Sequence, residues 1–467
     1  MSTMPRILPE QIATDQPVVH PALDWRENTL IMGARLEGGA SAVLTSRPEL
    51  IELERIPWPI CESAHGIERS PVSSEVVRRL ESGYGSPGNA ESAYALVSVP
   101  TQLAAYYRRF IVFSAPWWAE VLAVWTLGTY VYPIFDAYPY LRISSPEPGC
   151  GKSLLGQIVA NLSFNGELMV SPTEANIFRM AESNRGTQIW DEVENQNAGD
   201  QNRLQTMRSV LLNGYRSGGA VPRQERTGQG QFRTVRYHVF VPRVLIGLSD
   251  LPQVVHQRCI ELTLQRRSQD ERIDRYRSNE REHEEQGLRE LCAIYALSYC
   301  RAISRCYRND AFAERLEAYL GQAGRFADDL LLPLAALVSA PLDNDPRTRT
   351  VLRPMFHMLL NDVAPALRRA WNESATTTPP WFAPMLDILG EGGDLTPAEV
   401  AGRLSTGSSI SISAEQLAHQ LRRYGIRSTR SNGRRVLSVS HAQIDELRRR
   451  YGIARPEQPS ANVGSQV

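Results

Sequence analysis

Tyr140-Leu-Arg-Ile-Ser-Ser-Pro-Glu-Pro-Gly-Cys-Gly-Lys-Ser-Leu-Leu155 is the stretch whose reading decides the fold. Tyr140–Ser144 has the apolar, β-branched look of a short strand. Leu154–Leu162 has helical periodicity. Between them, Gly149 and Gly151 let backbone N–H groups turn inward around an anion. The helix start at Ser153 adds positive potential. Lys152 is a flexible ammonium able to reach β- and γ-phosphates, and the Ser153 hydroxyl suits a Mg2+ ligand. Gly149, Cys150, Gly151, Lys152, Ser153 and Leu154 are therefore the candidate nucleotide contacts. The pattern G-x-x-x-x-G-K-[ST] is broken once, because Pro146 stands where its first glycine belongs.

Composition singles out the same residue. The chain of 467 residues has 51 Lys plus Arg against 51 Asp plus Glu, and Lys152 is its one lysine. A guanidinium is a broad planar fork and an ammonium a compact point charge, so a phosphate loop is where arginine fails as a substitute. Zero net charge removes bulk attraction to nucleic acid or membrane. Any such binding must be local, for residues 1–100 are acidic and residues 420–455 strongly basic.

Downstream, Gln188-Ile-Trp-Asp-Glu192 reads as a strand ending in an acid pair. Asp191 would stand in the Mg2+ shell and Glu192 would polarise the attacking water. A third strand, Arg243–Ser249, ends in a polar residue suited to sensing a γ-phosphate. Arg258 follows nine residues later and is the candidate arginine finger, a group worth 10³–10⁵ in rate in other NTPases. The alternative for Arg258 is a surface arginine in an arginine-rich chain. Residues 218–240 read as a hairpin carrying Arg223, Arg226, Arg233 and Arg236, either gripping DNA phosphates or merely solvated.

The remaining chain divides by composition. We expect a mixed α/β N-terminal domain over 1–99 and an ATPase domain with preceding helices over 100–268. A helical domain over 269–372, a linker at 373–380, a small module over 381–452 and a disordered tail at 453–467 complete it. Phe110–Phe135 is long enough to span a bilayer, but Glu120 and Pro116 within it favour a buried core segment, so no membrane is expected. Six cysteines without CxxC pairs or zinc spacing suggest a reducing cytoplasm. In the small module, 395–405 and 413–425 read as helices, Asn432-Gly433 as a hairpin turn and 441–452 as a last helix. Helix, helix, two-stranded wing, helix is winged-helix-like. Arg422, Arg423, Arg430, Arg434 and Arg435 make it basic enough for nucleic acid, with protein docking as the alternative.

The chain resembles an uncharacterised P-loop domain family of phage, plasmid and integrative-element proteins, often fused or adjacent to primase-polymerase modules. The resemblance rests on YLRISSPEPGCGKSLL, IFRMAESNRGTQIWDE, SVLLNGYRSGGAVPR, VLIGLSDLPQVVHQRCIEL, GRFADDLLLPLAALVSA and LAHQLRRYGIRSTR, in that order over residues 100–452. Proline at position 146 belongs to that family's pattern. Arg325 and Asp328 match its Arg-x-x-Asp, while its Trp before Pro333 is Leu332 here. The wider similarity is to AAA+ and superfamily 3 helicase-like ATPases. It implies an α/β P-loop NTPase core, a homo-oligomeric ring (usually a hexamer) and ATP with Mg2+ at subunit interfaces. The expected function is a DNA helicase or translocase in mobile-element replication, acting on single-stranded DNA with a possible primase or replication-initiator partner. The alternatives are an ATP-switched assembly or phage-defence ATPase without unwinding, and a P-loop kinase.

Overall fold

In the computed structural model the described residues are 18–451 and 453, apart from 40, 62–65, 86–88, 171, 192–200, 227–231, 248–251, 321–326, 344–347, 369–378, 408–411, 427, 432 and 438. Two compact units form, residues 1–371 and 372–467.

The first unit is mixed α/β. It opens with strands β1 (Leu23–Arg26), β2 (Thr29–Arg35), β3 (Ser41–Thr45), β4 (Leu50–Glu52) and β5 (Val72–Ser73). β1 to β4 pair in sequence order, and β5 pairs with β2. The Gly38-Gly39 turn sits between β2 and β3, and Gly39 takes φ 81°, where glycine carries no steric penalty. Helices α1 (Ser74–Glu81), α2 (Ala90–Val97), α3 (Val99–Phe110) and α4 (Trp118–Gly128) follow. Ser73 and Asn89 cap α1 and α2 by accepting from Val76 and Ser92 backbone N–H groups. The apolar run 110–135 is broken at 111–117, and α4 is buried on nearly every side. Among the described residues no helix is long and apolar enough to cross a membrane.

A second sheet forms the centre. Its elements run β6 (Tyr140–Ser144), α5 (Lys152–Leu162), β7 (Glu167–Val170), α6 (Glu174–Asn184), β8 (Gln188–Asp191) and α7 (Gln201–Asn213). The hairpin β9 (Ala220–Arg226) and β10 (Phe232–His238) comes next, then β11 (Arg243–Ile246), α8 (Gln253–His256) and β12 (Cys259–Thr263). The strand order is β12-β6-β11-β8-β7, every pair parallel. Alternation assigns its two faces. Leu141, Ile143, Ile189, Val244 and Ile246 enter the large core beneath α5. Tyr140, Trp190, Leu245 and Cys259 enter a second core with α6 and α7 residues such as Phe178 and Leu211. α5 approaches closely because residue 156 is glycine: a Cβ there would lie 2.4 Å from Ile246 Cδ1.

The 30-residue helix α9 (Ser278–Tyr307) is followed by α10 (Asp310–Leu320), α11 (Leu332–Ser339) and α12 (Thr348–Met358). The two faces of the N-terminal sheet enter different cores, and on one of them Ile31 and Val43 pack with Val19 and Ile56 in a small cluster. Leu23, Met32, Val72 and Val76 join α3, α4, α9 and α11 in one apolar cluster.

The second unit has its own core around Phe382, Leu386, Leu404, Leu417 and Leu447. It contains α13 (Phe382–Gly390), α14 (Pro397–Gly407), α15 (Ala414–Leu421), the hairpin β13 (Ser428–Ser431) and β14 (Arg434–Leu437), and α16 (His441–Tyr451). Thr396 and Glu399 cap α14 reciprocally, and Ser413 with Gln416 does the same for α15. Ser431 pairs with Arg434, and Gly433, just before Arg434, takes φ 79°. Helix α13 has no counterpart among the helices that the sequence predicts for this module. The linker residues 373–378 and the tail 454–467 lie outside the described residues.

Candidate functional site

β6 lies inside the parallel sheet, between β12 and β11, and is wholly buried. From it the chain crosses to β7 at one edge, and later returns to place β12 on the opposite side. Connections that leave a strand on opposite sides open a crevice at the carboxyl ends of the strands, where ligands bind in open α/β sheets.

The loop from Ser145 to Gly151 lies at that crevice. Gly149 and Gly151 have φ 78° and 88°, both in the region that favours glycine. Left-handed residues alternating in this way turn successive N–H groups toward one concavity. The concavity is open, since a Cβ on Gly149 or Gly151 would meet nothing nearer than 3.9 Å. Pro146 is absent from the positive-φ positions, so no glycine is required there. Lys152 is the first residue of α5, and its Nζ donates to Ser145 Oγ at 2.5 Å. Ser145 Oγ in turn donates to the Glu147 carbonyl at 2.6 Å. Ser153 is exposed, while Cys150 and Leu154 are half-buried.

Register places the acid. Leu245 pairs with both Arg142 on β6 and Trp190 on β8, so Asp191 is level with Ile143. One strand intervenes, which puts their backbones about 10 Å apart at roughly 4.8 Å per strand. Asp191 is buried at the end of β8. Glu192 and Ser249 lie outside the described residues. β11 ends at Ile246, earlier than its sequence pattern predicts.

Residues missed in the sequence complete the floor of the loop. Glu261 on β12 accepts from Ser144 Oγ at 3.2 Å, pairs with Arg142 at 3.2 Å, and meets His256 Nε2 at 2.6 Å. Burial opposes ionisation of Glu261, but the His256 hydrogen bond and the Arg142 charge outweigh it and hold the carboxyl below its ordinary range. Arg266, just past β12, brings Nη2 within 3.9 Å of the Cβ position on Gly149, making it a second cation at the loop. Neither has a local motif; only the pairing of β12 with β6 brings them there.

Arg258 is elsewhere. Its backbone carbonyl accepts from Tyr140 N at the amino end of the sheet, the edge away from the loop. Its guanidinium donates to the Leu211 and Leu212 carbonyls at 3.1 and 2.6 Å and lies 5.1 Å from the Tyr215 ring centroid. These contacts cap the end of α7.

The four hairpin arginines divide between two faces. Arg223 lies inward, donating to Thr206 Oγ1 at 3.1 Å and stacking on Phe178. Arg233 shares that half-buried face. Arg226 and Arg236 are exposed, and Arg226 pairs across the strands with Phe232, an aromatic ring 72% exposed. In the second unit Arg422, Arg430, Arg434 and Arg435 are exposed, with Arg430 directly opposite Arg435. Like charges so placed repel unless an anion lies between them. Arg423 belongs to the 3-10 turn Arg422–Tyr424. Arg325 and the turn 227–231 lie outside the described residues.

None of the six cysteines is in a disulfide, and among the described residues no group of three or more His, Cys, Asp or Glu is placed to hold a metal. No protein-family model and no curated protein matches the chain. Among solved structures, it is similar to the A form apo structure of the NrS-1 C-terminal region at 14% identity. That match covers 74% of this chain and 76% of the other, with a TM-score of 0.32. A second structure of the same region matches at 10% identity over 88% of this chain and 96% of the other, with a TM-score of 0.31. Superpositions this distant assign neither fold nor activity.

Proposed function

We propose that the chain is an ATP-hydrolysing P-loop enzyme of the AAA+-like kind, working as a ring-forming DNA helicase or translocase in the replication of a mobile genetic element. The observation that carries the reading is the shared edge: the Lys152 loop follows β6 and Asp191 ends β8, both on the carboxyl side of one parallel sheet with β11 between the two strands.

The residues fit magnesium ATP. Gly149 and Gly151 direct N–H groups at the phosphates, and Lys152 neutralises their outer oxygens. Ser153 and Asp191 would hold the metal. Glu192 orients water and accepts its proton, and Arg266 adds charge at the outer phosphates. Bound magnesium ATP supplies a transferable phosphoryl group and a divalent charge that offsets the developing negative charge. Ser249, following β11, remains the proposed nucleotide sensor.

DNA contact is proposed at two places. Arg226, Phe232 and Arg236 combine cations with a stacking face, the chemistry of single-strand binding without sequence readout. The winged-helix-like second unit offers Arg422, Arg430, Arg434 and Arg435, with Arg423 beside them in sequence. A hexameric ring and a primase or initiator partner belong to the same proposal. The second reading, an ATP-switched assembly or phage-defence ATPase without unwinding, is favoured by Arg258, whose guanidinium is engaged in capping α7.

The test is ATP turnover with and without single-stranded DNA, in the intact chain and in Arg226→Ala/Arg236→Ala. A translocase is stimulated severalfold by DNA, and the double variant loses the stimulation while keeping basal turnover. Turnover indifferent to DNA in both proteins would favour the switch.

A further inference from the structure

We infer that the cavity between β1, the end of α6 and the base of the β9–β10 hairpin is a binding site for a guanine base. The cavity holds about 500 Å3 and includes Trp25, Tyr132 and Phe240 in its wall. That is within the roughly 300–1,000 Å3 of small-molecule sites. It belongs to the first unit and is distinct from the phosphate loop, none of whose residues line it.

Two features of Arg185 need an explanation. Arg185 closes α6 in the left-handed region, at φ 49°, although the next residue is Gly186. Its Nε is buried without a hydrogen-bond partner. A non-glycine residue held there costs free energy, and so does an unmatched donor on a residue that lines a cavity; the Glu182 and Asp24 charges favour the guanidinium but leave Nε without an acceptor. An acceptor supplied by a ligand would satisfy it.

Two carboxylates face the same space. Asp24 accepts from the His20 and Trp25 backbone N–H groups at 2.8 Å each. Glu182 accepts from the His238 N–H and lies 3.9 Å from Cys61 Sγ. Each carboxylate oxygen has a second lone pair, so acceptor capacity is left over. His20 is fully used, with Nε2 on the Glu182 carbonyl at 2.5 Å and Nδ1 accepting from Ala22 N. Burial pushes its imidazole well below its ordinary pKa, with the Arg185 charge adding to the effect, so it is neutral.

A simple anion does not suit a pocket with two carboxylates, and a simple cation does not suit Arg185. The ligand must present paired acceptors to a guanidinium and paired donors to a carboxylate. Guanine is the nucleobase with both: O6 and N7 on one edge, N1–H and N2–H2 on the other. Its flat ring suits aromatic walls. The base belongs either to a free nucleoside compound or to an unpaired residue of a strand.

Calorimetric titration of the full chain with guanosine, adenosine and inosine tests this. Nucleosides carry no phosphate, so Lys152→Ala should titrate as the parent does, which separates this site from the proposed ATPase. Guanosine should bind at least tenfold more tightly than adenosine. Inosine, without the 2-amino group, should lose about tenfold. Arg185→Gln and Asp24→Asn should each weaken guanosine at least tenfold. A preference for a short oligothymidylate with a central guanine over one without, but no affinity for guanosine, would locate the same base in a strand. Equal guanosine and adenosine affinity with no guanine preference in the oligomers would overturn the inference. So would guanosine binding untouched by both variants.

Discussion

At position 152 lysine survives in a chain that otherwise uses arginine, and the geometry supplies the reason. The residue starts α5 behind a left-handed Gly151, with Nζ folded onto Ser145. A thin stem and a small charged head suit that space, and a planar guanidinium does not. The loop was legible because its determinants are local: two glycines, one lysine and a helix start within a few residues. Arg258 shows the opposite case. Its spacing suggested a finger, yet its guanidinium bonds to carbonyls on α7, contacts that no local pattern reveals. Charged donors on carbonyls contribute about 1.5–3 kcal/mol. Arg258→Ala should therefore lose about that much in denaturant unfolding, with ATP turnover per folded molecule retained. Turnover lost at unchanged stability would support the finger.

Among elements, the parallel sheet depends on a buried cation. Arg243 begins β11 with no exposure. Nε donates to Gln188 Oε1 at 3.0 Å, Nη2 to the Val239 carbonyl at 2.8 Å, and Nη1 to the Gly214 carbonyl at 3.3 Å. The ring centroids of Trp190 and Tyr140 lie within 6 Å of it. Gly214 leaves it room, for a Cβ there would lie 2.3 Å from Nη1. Arg243→Met would strand these acceptors in the core. We expect a loss of at least about 3 kcal/mol in denaturant unfolding, from roughly 1–3 kcal/mol per orphaned group. A loss below about 1 kcal/mol would contradict this account. Strand existence at 140–144, 188–191 and 243–246 was legible from apolar runs. The insertion of β11 between β6 and β8 was not, because an apolar strand carries no mark of its neighbours.

Across the whole molecule, one face of the N-terminal sheet and one face of the central sheet share a core, while Ile31 and Val43 on the other face of the N-terminal sheet pack in a cluster of their own. Their junction carries a pH response. His20 is lowered well below 6.5 by burial, and His238 is lowered likewise. When the folded pKa is depressed, the unfolded state binds the proton more readily, and stability falls as pH drops below about 6.5. Asp24 acts oppositely: burial raises its carboxyl, so its own contribution grows as pH falls through the raised value. The unfolding midpoint of the chain should drop between pH 7 and 5.5, and less so in His20→Gln, whose amide keeps a donor for the Glu182 carbonyl. An equal drop in both proteins would exclude His20 as its source.

We propose that the loop between β6 and α5 binds ATP for hydrolysis. Steady-state ATP turnover with magnesium, compared between the intact chain and Lys152→Ala at matched folded concentration, tests it most directly. We expect turnover in the intact chain and a loss of about 100-fold or more in the variant, the scale set by removing one transition-state charge contact. Equal turnover in the two proteins, or none in the intact chain with or without DNA, would contradict it.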